Sequence, residues 1–366
     1  MITLGTVNIS KKTKALLRDA LEKGIIGQGN HIVQFEERLA KFLGVKHVIT
    51  TANGTLADAV ALAAIKNKDG GRRDEVIVPA LTFIAQINAV YFNHLKPVFV
   101  DARYDYQINE EQIEKKINRN TLAIMPVHLL GRPAKMDKIL ELAKKYNLYV
   151  IEDACEALGS RYKNKPCGTI GDMGCFSFFV SHSITTGEGG AIATNNKYLA
   201  ELSRSLRNHG RKSSNPGEHF IFPRIGFSAK MNSLEAIIGL GVIDDLASHV
   251  KNRHNNLAKL NEFIGKNLFS ENKDEYIVPH GYPFLVKFQK LRDKLLKELP
   301  QKFGIEARQI FCSIPTQCAA YKFLGEKIGD YPIAEDIGRH GLYVPCHQNL
   351  NDKELKRIAD ALGNII

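Results

Sequence analysis

The chain has 366 residues, 44% hydrophobic and 24% charged, the balance of a soluble globular protein large enough for an extensive core and a second lobe. Its formal net charge of +11 comes from lysines and arginines spread along helical stretches, with no basic tract interleaved with aromatics, so nucleic acid is not an expected partner. No apolar run could span a bilayer, residues 1–12 lack a secretion signal, and the six cysteines show no close pair, so a cytoplasmic, membrane-free, reducing setting is expected.

Short β-branched runs alternate with helical patterns, the order of an α/β protein built on a mostly parallel sheet. Seven strands are predicted, over residues 45–51, 75–81, 97–101, 121–128, 149–153, 174–179 and 190–195. Between them, residues 56–66 and 136–146 repeat apolar side chains at three and four, which marks crossover helices. Over 210–223, Gly, Ser, Asn and Pro gather without period. That stretch reads as a loop, either one that closes over a ligand or plain surface. Beyond residue 245 the pattern changes to a long helix over 246–268, followed by a few strands and helices. The expected organisation is a large α/β domain over 1–245 and a smaller C-terminal α+β domain over 246–366.

Three segments carry chemistry. T-T-A-N-G-T at 50–55 joins the first strand to a helix, where small residues and free N–H groups let the backbone approach a phosphate. Asp153 ends the strand over 149–153, and parallel sheets present ligand-binding residues at their carboxyl edge. The third segment is F-S-F-F-V-S-H-S-I-T-T-G-E-G-G at 176–190.

In this order, E-D-A at 152–154, F-S-F at 176–178 and T-T-G-E-G-G at 185–190 resemble the motifs of the DegT/DnrJ/EryC1/StrS family of pyridoxal phosphate (PLP) sugar aminotransferases. The resemblance covers nearly the whole chain, from G-I-I-G-Q-G-N at 24–30 through R-S-L-R-N-H-G-R at 204–211 to Y-V-P-C-H-Q-N-L at 343–350. It implies the aspartate-aminotransferase-like PLP fold type I and a homodimer with its active site at the subunit boundary. It also implies that Gly54, Thr55 and Ser177 receive the cofactor phosphate, together with Asn232 donated by the second subunit. Phe83 becomes a stacking candidate over the cofactor ring, or plain core. Asp153 would keep the ring nitrogen protonated by charge pairing and a hydrogen bond. Glu156, also beside the cofactor, stands where the aminotransferases show glutamine. Arg308 is a candidate substrate contact, and His347 either lines the pocket or caps a turn.

His182 occupies the position where the family keeps the lysine that bonds to the cofactor. An imidazole cannot condense stably with an aldehyde, so a cofactor here would be held by non-covalent contacts. Its ordinary pKa near neutrality suits it to take and return a proton. One subgroup of the family, the sugar 3-dehydratases, makes the same replacement and prefers aspartate, likewise acidic, at the place of Glu156. The leading expectation is therefore C-3 dehydration of a nucleotide-linked 4-keto-6-deoxy sugar. Pyridoxamine phosphate (PMP) would condense with the 4-keto group, His182 would act as base, and L-glutamate would restore PMP. Two alternatives stand beside it. One is a nucleotide-4-keto-sugar aminotransferase, toward which H-L-L-G-R-P at 128–133 leans; the other is a non-catalytic protein that keeps the pocket. Asp58 is a further departure, since the family keeps an apolar residue there. The clustered cysteines of an iron–sulfur cluster are not evident and no ligand spacing stands out, so no metal is expected. Arg204, Arg207, Arg211, Lys212 and Arg224 form a candidate attractor for a diphosphate.

Overall fold

The computed structural model describes residues 1–363 except for 8, 214, 216 and 219. Its first strands are β1 (His47–Thr51), β2 (Glu75–Pro79), β3 (Lys96–Val100), β4 (Thr121–Ile124) and β5 (Tyr149–Asp153). Two short strands follow, β6 (Arg161–Tyr162) and β7 (Lys165–Pro166), then β8 (Met173–Ser177) and β9 (Gly190–Thr194). Seven of them make one sheet in the order β1-β9-β8-β5-β4-β2-β3. β9 alone runs antiparallel to its neighbours, so the other six strands all end at the same edge. All seven predicted strands are present, but those expected over 75–81 and 121–128 end at Pro79 and Ile124, where the chain leaves the sheet to build a cleft.

The helices before the C-terminal segment are α1 (Lys11–Glu22), α2 (Asn30–Leu43), α3 (Gly54–Asp69), α4 (Ile84–Phe92), the one-turn α5 (Glu110–Ile113), α6 (Met136–Tyr146), α7 (Lys197–Leu206) and α8 (Ser233–Ile243). α3 starts on Asn53, whose side chain accepts the N–H of Leu56, and ends at Gly70 in the left-handed region. Every residue from Ala57 to Ile65 is buried. A helix apolar all round must be covered all round, and α3 lies among β8, β9, α4 and α7. Its alanines permit that close approach.

The C-terminal segment opens with α9 (Leu246–Ile264), which stops four residues short of the expected end because Gly265 takes a left-handed φ of 71° and closes it. β10 (Glu275–Tyr276) pairs with β6, while β11 (Tyr282–Leu285), β12 (Arg308–Gln309) and β13 (Gly341–Val344) form an antiparallel sheet in the order β11-β13-β12. Among the described residues no helix is long and apolar enough to cross a membrane.

Four of the five candidate diphosphate-attracting cations have partners within the chain. Arg207 donates to the Glu36 carboxylate at 2.7 Å and to the Thr50 carbonyl at 2.6 Å. Arg204 pairs with the same glutamate, Arg224 with Ser205, and Lys212 with Glu218. These cations are engaged in holding the chain, and none lines the cleft. The predicted loop over 210–223 includes residues 214, 216 and 219, which lie outside the described ones.

Candidate active site

At the carboxyl edge of the sheet lies a cleft of about 290 Å³. The turn after β1 supplies Gly54 and Thr55, the loop after β2 supplies Phe83, β5 and its extension supply Asp153 and Glu156, and β8 supplies Ser177. His182 reaches it from the loop before β9, and Arg308 from β12. Eight of the ten expected site residues therefore meet there.

One end suits an anion. α3 opens on Gly54 with the unpaired N–H groups and positive pole of a helix N-terminus. A Cβ at Gly54 would stand 2.8 Å from the Ser177 Cβ and 3.0 Å from the Cys155 sulfur, so only glycine lets this turn and the end of β8 meet.

The floor is acidic and buried. Asp153 is 6% exposed, and its Oδ1 accepts the Cys155 N–H at 3.1 Å. Burial pushes its pKa up, opposed by the bonds from Cys155 and by the neighbouring His128. His128 and Glu152, fully buried, bond to each other at 2.9 Å, and the His128 Nδ1 accepts the Ala134 N–H. The histidine of H-L-L-G-R-P is thus a brace beneath the site. Leu130 in the same motif has a strained φ of 58°. Its N–H donates to Glu156 at 2.7 Å and its carbonyl accepts from the His280 N–H at 3.1 Å.

The wall carries imidazoles. His182 is half-buried, its Nδ1 has no hydrogen-bond partner, and its ring centre lies 4.9 Å from that of His280. Burial, then the nearby Arg253 guanidinium, push its pKa down to about 3, so the ring is neutral at neutral pH. Arg253, 1% exposed, reaches in from α9 and donates to the carbonyls of Ser181, His182 and Pro279 and to the Gln348 amide oxygen. It fixes the backbone on both sides of the base. The Glu156 Oε1 lies 3.6 Å from the His280 Nε2, and burial raises the Glu156 pKa to about 7.

Phe83 is 54% exposed and its ring lies 5.2 Å from that of Phe311, on the cleft wall. This excludes the plain-core reading. Arg308 is held by Glu306 at 2.9 Å and faces the cleft beside Tyr343.

Two expected residues lie outside the cleft. Asn232 begins α8, where its side chain accepts the N–H groups of Leu234 and Glu235 in a capping box. His347 does not line the cleft: its Nδ1 accepts the Asn349 N–H at 3.2 Å and ends a turn. Its placement as a pocket residue is corrected accordingly.

Sequence reasoning missed His280, Phe311 and Tyr343 as cleft residues, and left Asp58 as an oddity. The expectation of no metal rested on spacing, yet the fold brings ligand atoms of Asp58, Asp153 and Cys155 within 4.8 Å of one another. Burial pushes all three toward their protonated forms, which opposes metal binding because ligands must shed their protons.

The sequence model of the DegT/DnrJ/EryC1/StrS aminotransferase family matches residues 7–363. The chain belongs to this family. Among its relatives, a GDP-perosamine synthase of Escherichia coli O157:H7 is 35% identical over 97% of this chain and 96% of its own. Among solved structures, the Helicobacter pylori aminotransferase PseC, involved in pseudaminic acid biosynthesis, superposes with a TM-score of 0.88 at 28% identity, covering 98% and 97% of the two chains. A mutant of GDP-4-keto-6-deoxymannose-3-dehydratase with bound GDP-perosamine reaches a TM-score of 0.87 at 24% identity, covering 99% and 100%, a likeness of fold.

As a member of the family, the chain is a PLP-dependent enzyme of fold type I. Its cleft fits the cofactor. The N-terminus of α3 at Gly54, the buried Asp153 carboxyl and the His182 ring all line the cleft.

Proposed function

We propose that the chain works at the keto carbon of a nucleotide-linked 4-keto-6-deoxy sugar, and that amino transfer from L-glutamate is its net reaction. The observation that carries this reading is similarity along the whole chain to a GDP-perosamine synthase, joined by the aminotransferase-like H-L-L-G-R-P loop. It displaces the C-3 dehydration expected from the sequence to second place.

The chemistry supplied by the bound cofactor is an amine for the keto carbon and a ring that delocalises an electron pair. This chain's residues do the rest. Gly54, Thr55 and Ser177 would receive the phosphate, Phe83 would stack on the ring, and Asp153 would charge-pair with the ring nitrogen. Glu156, held by the Leu130 N–H, would lie beside the cofactor. Arg308 contacts the sugar nucleotide. His182, neutral and unpartnered at Nδ1, takes and returns the proton. Asn232, outside this chain's own cleft, serves a second copy, so the enzyme works as a homodimer.

C-3 dehydration remains the second reading because of His182 itself. Both reactions need a base at that place, and only loss or retention of the C3 hydroxyl separates them. The test is incubation of the purified protein with PLP, L-glutamate and GDP- or dTDP-4-keto-6-deoxyhexose, following product mass and free ammonia together. An amino sugar without ammonia supports amino transfer, a deoxygenated keto sugar with ammonia establishes the second reading, and no turnover of either sugar refutes both.

A further inference from the structure

Asp58 stands on the second turn of α3 and lines the floor of the cleft. It is 1% exposed, and its Oδ1 has no hydrogen-bond partner. The Cys175 thiol on β8 bonds its carboxyl, and the Asp153 carboxyl and Cys155 thiol lie within 4.8 Å. These are the titratable groups that face it. His128, braced by Glu152, stands beyond Asp153. Among the described residues, none of the groups that act on Asp58 is basic. Two buried carboxylates this close, with no cation between them, cannot both ionise near neutral pH. Asp153 holds its charge better, because its Oδ1 already accepts a backbone N–H while an oxygen of Asp58 accepts nothing.

We propose that Asp58 and Asp153 form a proton-sharing carboxyl pair at the floor of the cleft, with Asp58 carrying the proton, and that the pair holds a protonated heteroaromatic ring nitrogen at Asp153. The second half rests on the cofactor reading of the cleft; the first half does not. Charge balance makes the arrangement self-consistent. A neutral Asp58, an ionised Asp153 and a protonated ring nitrogen sum to zero, the arrangement least costly to bury. When rising pH removes the Asp58 proton, the added negative charge tightens the hold on the ring proton. Asp58 is thus a positioning residue that extends the pH range over which the ring stays protonated.

The sign of the stability effect follows. Burial and Asp153 raise the folded-state pKa of Asp58, so stability is intact at low pH and falls as pH rises above the ordinary carboxylate range. Thermal unfolding of the full-length chain without cofactor, from pH 5 to pH 9, tests the pair. Asp58→Leu is expected to raise Tm by about 2–4 °C at pH 9 and by progressively less toward pH 5. Asp58→Asn should show the same pH trend, and carries the test if the leucine variant does not fold. A Tm difference independent of pH overturns the pair. Stabilisation of the native chain by Zn²⁺ alone that Asp58→Asn abolishes also overturns it, in favour of a cation site. The second measurement is the ¹⁵N resonance of labelled PLP bound to native chain and to Asp58→Asn. The ring proton should be lost about one pH unit lower in the variant, and identical titrations overturn the ring-nitrogen half. Failure of the native chain to bind PLP refutes the cofactor reading and that half with it, while the melting data decide the carboxyl pair separately.

Discussion

At the floor of the cleft, Asp58, Asp153 and Cys155 crowd together, and among the described residues no basic side chain acts on Asp58. At its wall, His182 and His280 sit beside Arg253, a buried guanidinium whose hydrogen bonds go to neutral oxygens. Burial acts on both regions and disfavours charge in both, which drives acids up and bases down. The floor acids therefore bind more protons than in the unfolded chain, and the wall imidazoles bind fewer. A cleft built this way keeps Asp58 on one side and the imidazoles on the other in their neutral forms at the same pH.

The largest way to break this contrast is to remove the acceptor. His182→Asn should lower kcat by on the order of 10²–10⁴-fold while PLP or PMP still binds, checked by product mass and cofactor absorbance on the same sample. Undiminished turnover would show that the base lies elsewhere.

Next in size is Arg253→Met, which strips four oxygens of their donor. About 3 kcal/mol of stability should be lost, measured by urea unfolding. The His182 and His280 titrations, followed by NMR, should move upward because the guanidinium holds both down. If stability falls and the titrations stay, the residue is structural alone.

Glu156→Gln sharpens the comparison by removing an acid from the wall. The folded-state pKa of Glu156 is raised from its ordinary value to about 7, so its contribution to stability is lost as pH rises through that window. The variant should gain on the order of 1–2 kcal/mol at pH 8 relative to pH 5, read from paired denaturation curves. His182 works in the opposite direction. Its folded-state pKa is lowered, so the stability of the native chain falls as pH drops below the ordinary imidazole value, and His182→Asn should flatten that acid limb.

The smallest effect tests a residue outside both regions. Asn232→Ala removes the side-chain half of the α8 capping box and should cost about 1 kcal/mol in thermal unfolding without cofactor. If Asn232 also reaches the cofactor phosphate of a second copy, PLP affinity should fall by more than that cost explains.

Much of the site was legible because motif order reports strand ends. The segments around Gly54, Asp153 and Ser177 each follow a strand that ends at the same edge, so three separate motifs had to converge once the sheet was parallel. His347 was misplaced because a motif does not say which way its side chain is used, and it caps a local turn; Asn232, expected to serve a second copy, caps α8 in its own chain. Arg207, grouped in the sequence with cations that could attract a diphosphate, is bound to Glu36, 171 positions away.

By itself the amino-acid sequence determined the family, the seven-stranded α/β fold, the phosphate turn, Asp153 and the replacement of lysine by His182. These follow from local periodicity and from residue types at fixed spacing. Only the tertiary structure decided that Asp58 faces Asp153, that His280 stands beside His182, and that Arg253 holds the loop carrying the base. Those pairings join residues 71 to 98 positions apart, and their chemistry depends on burial and neighbouring charge, which exist only once the chain has closed around them.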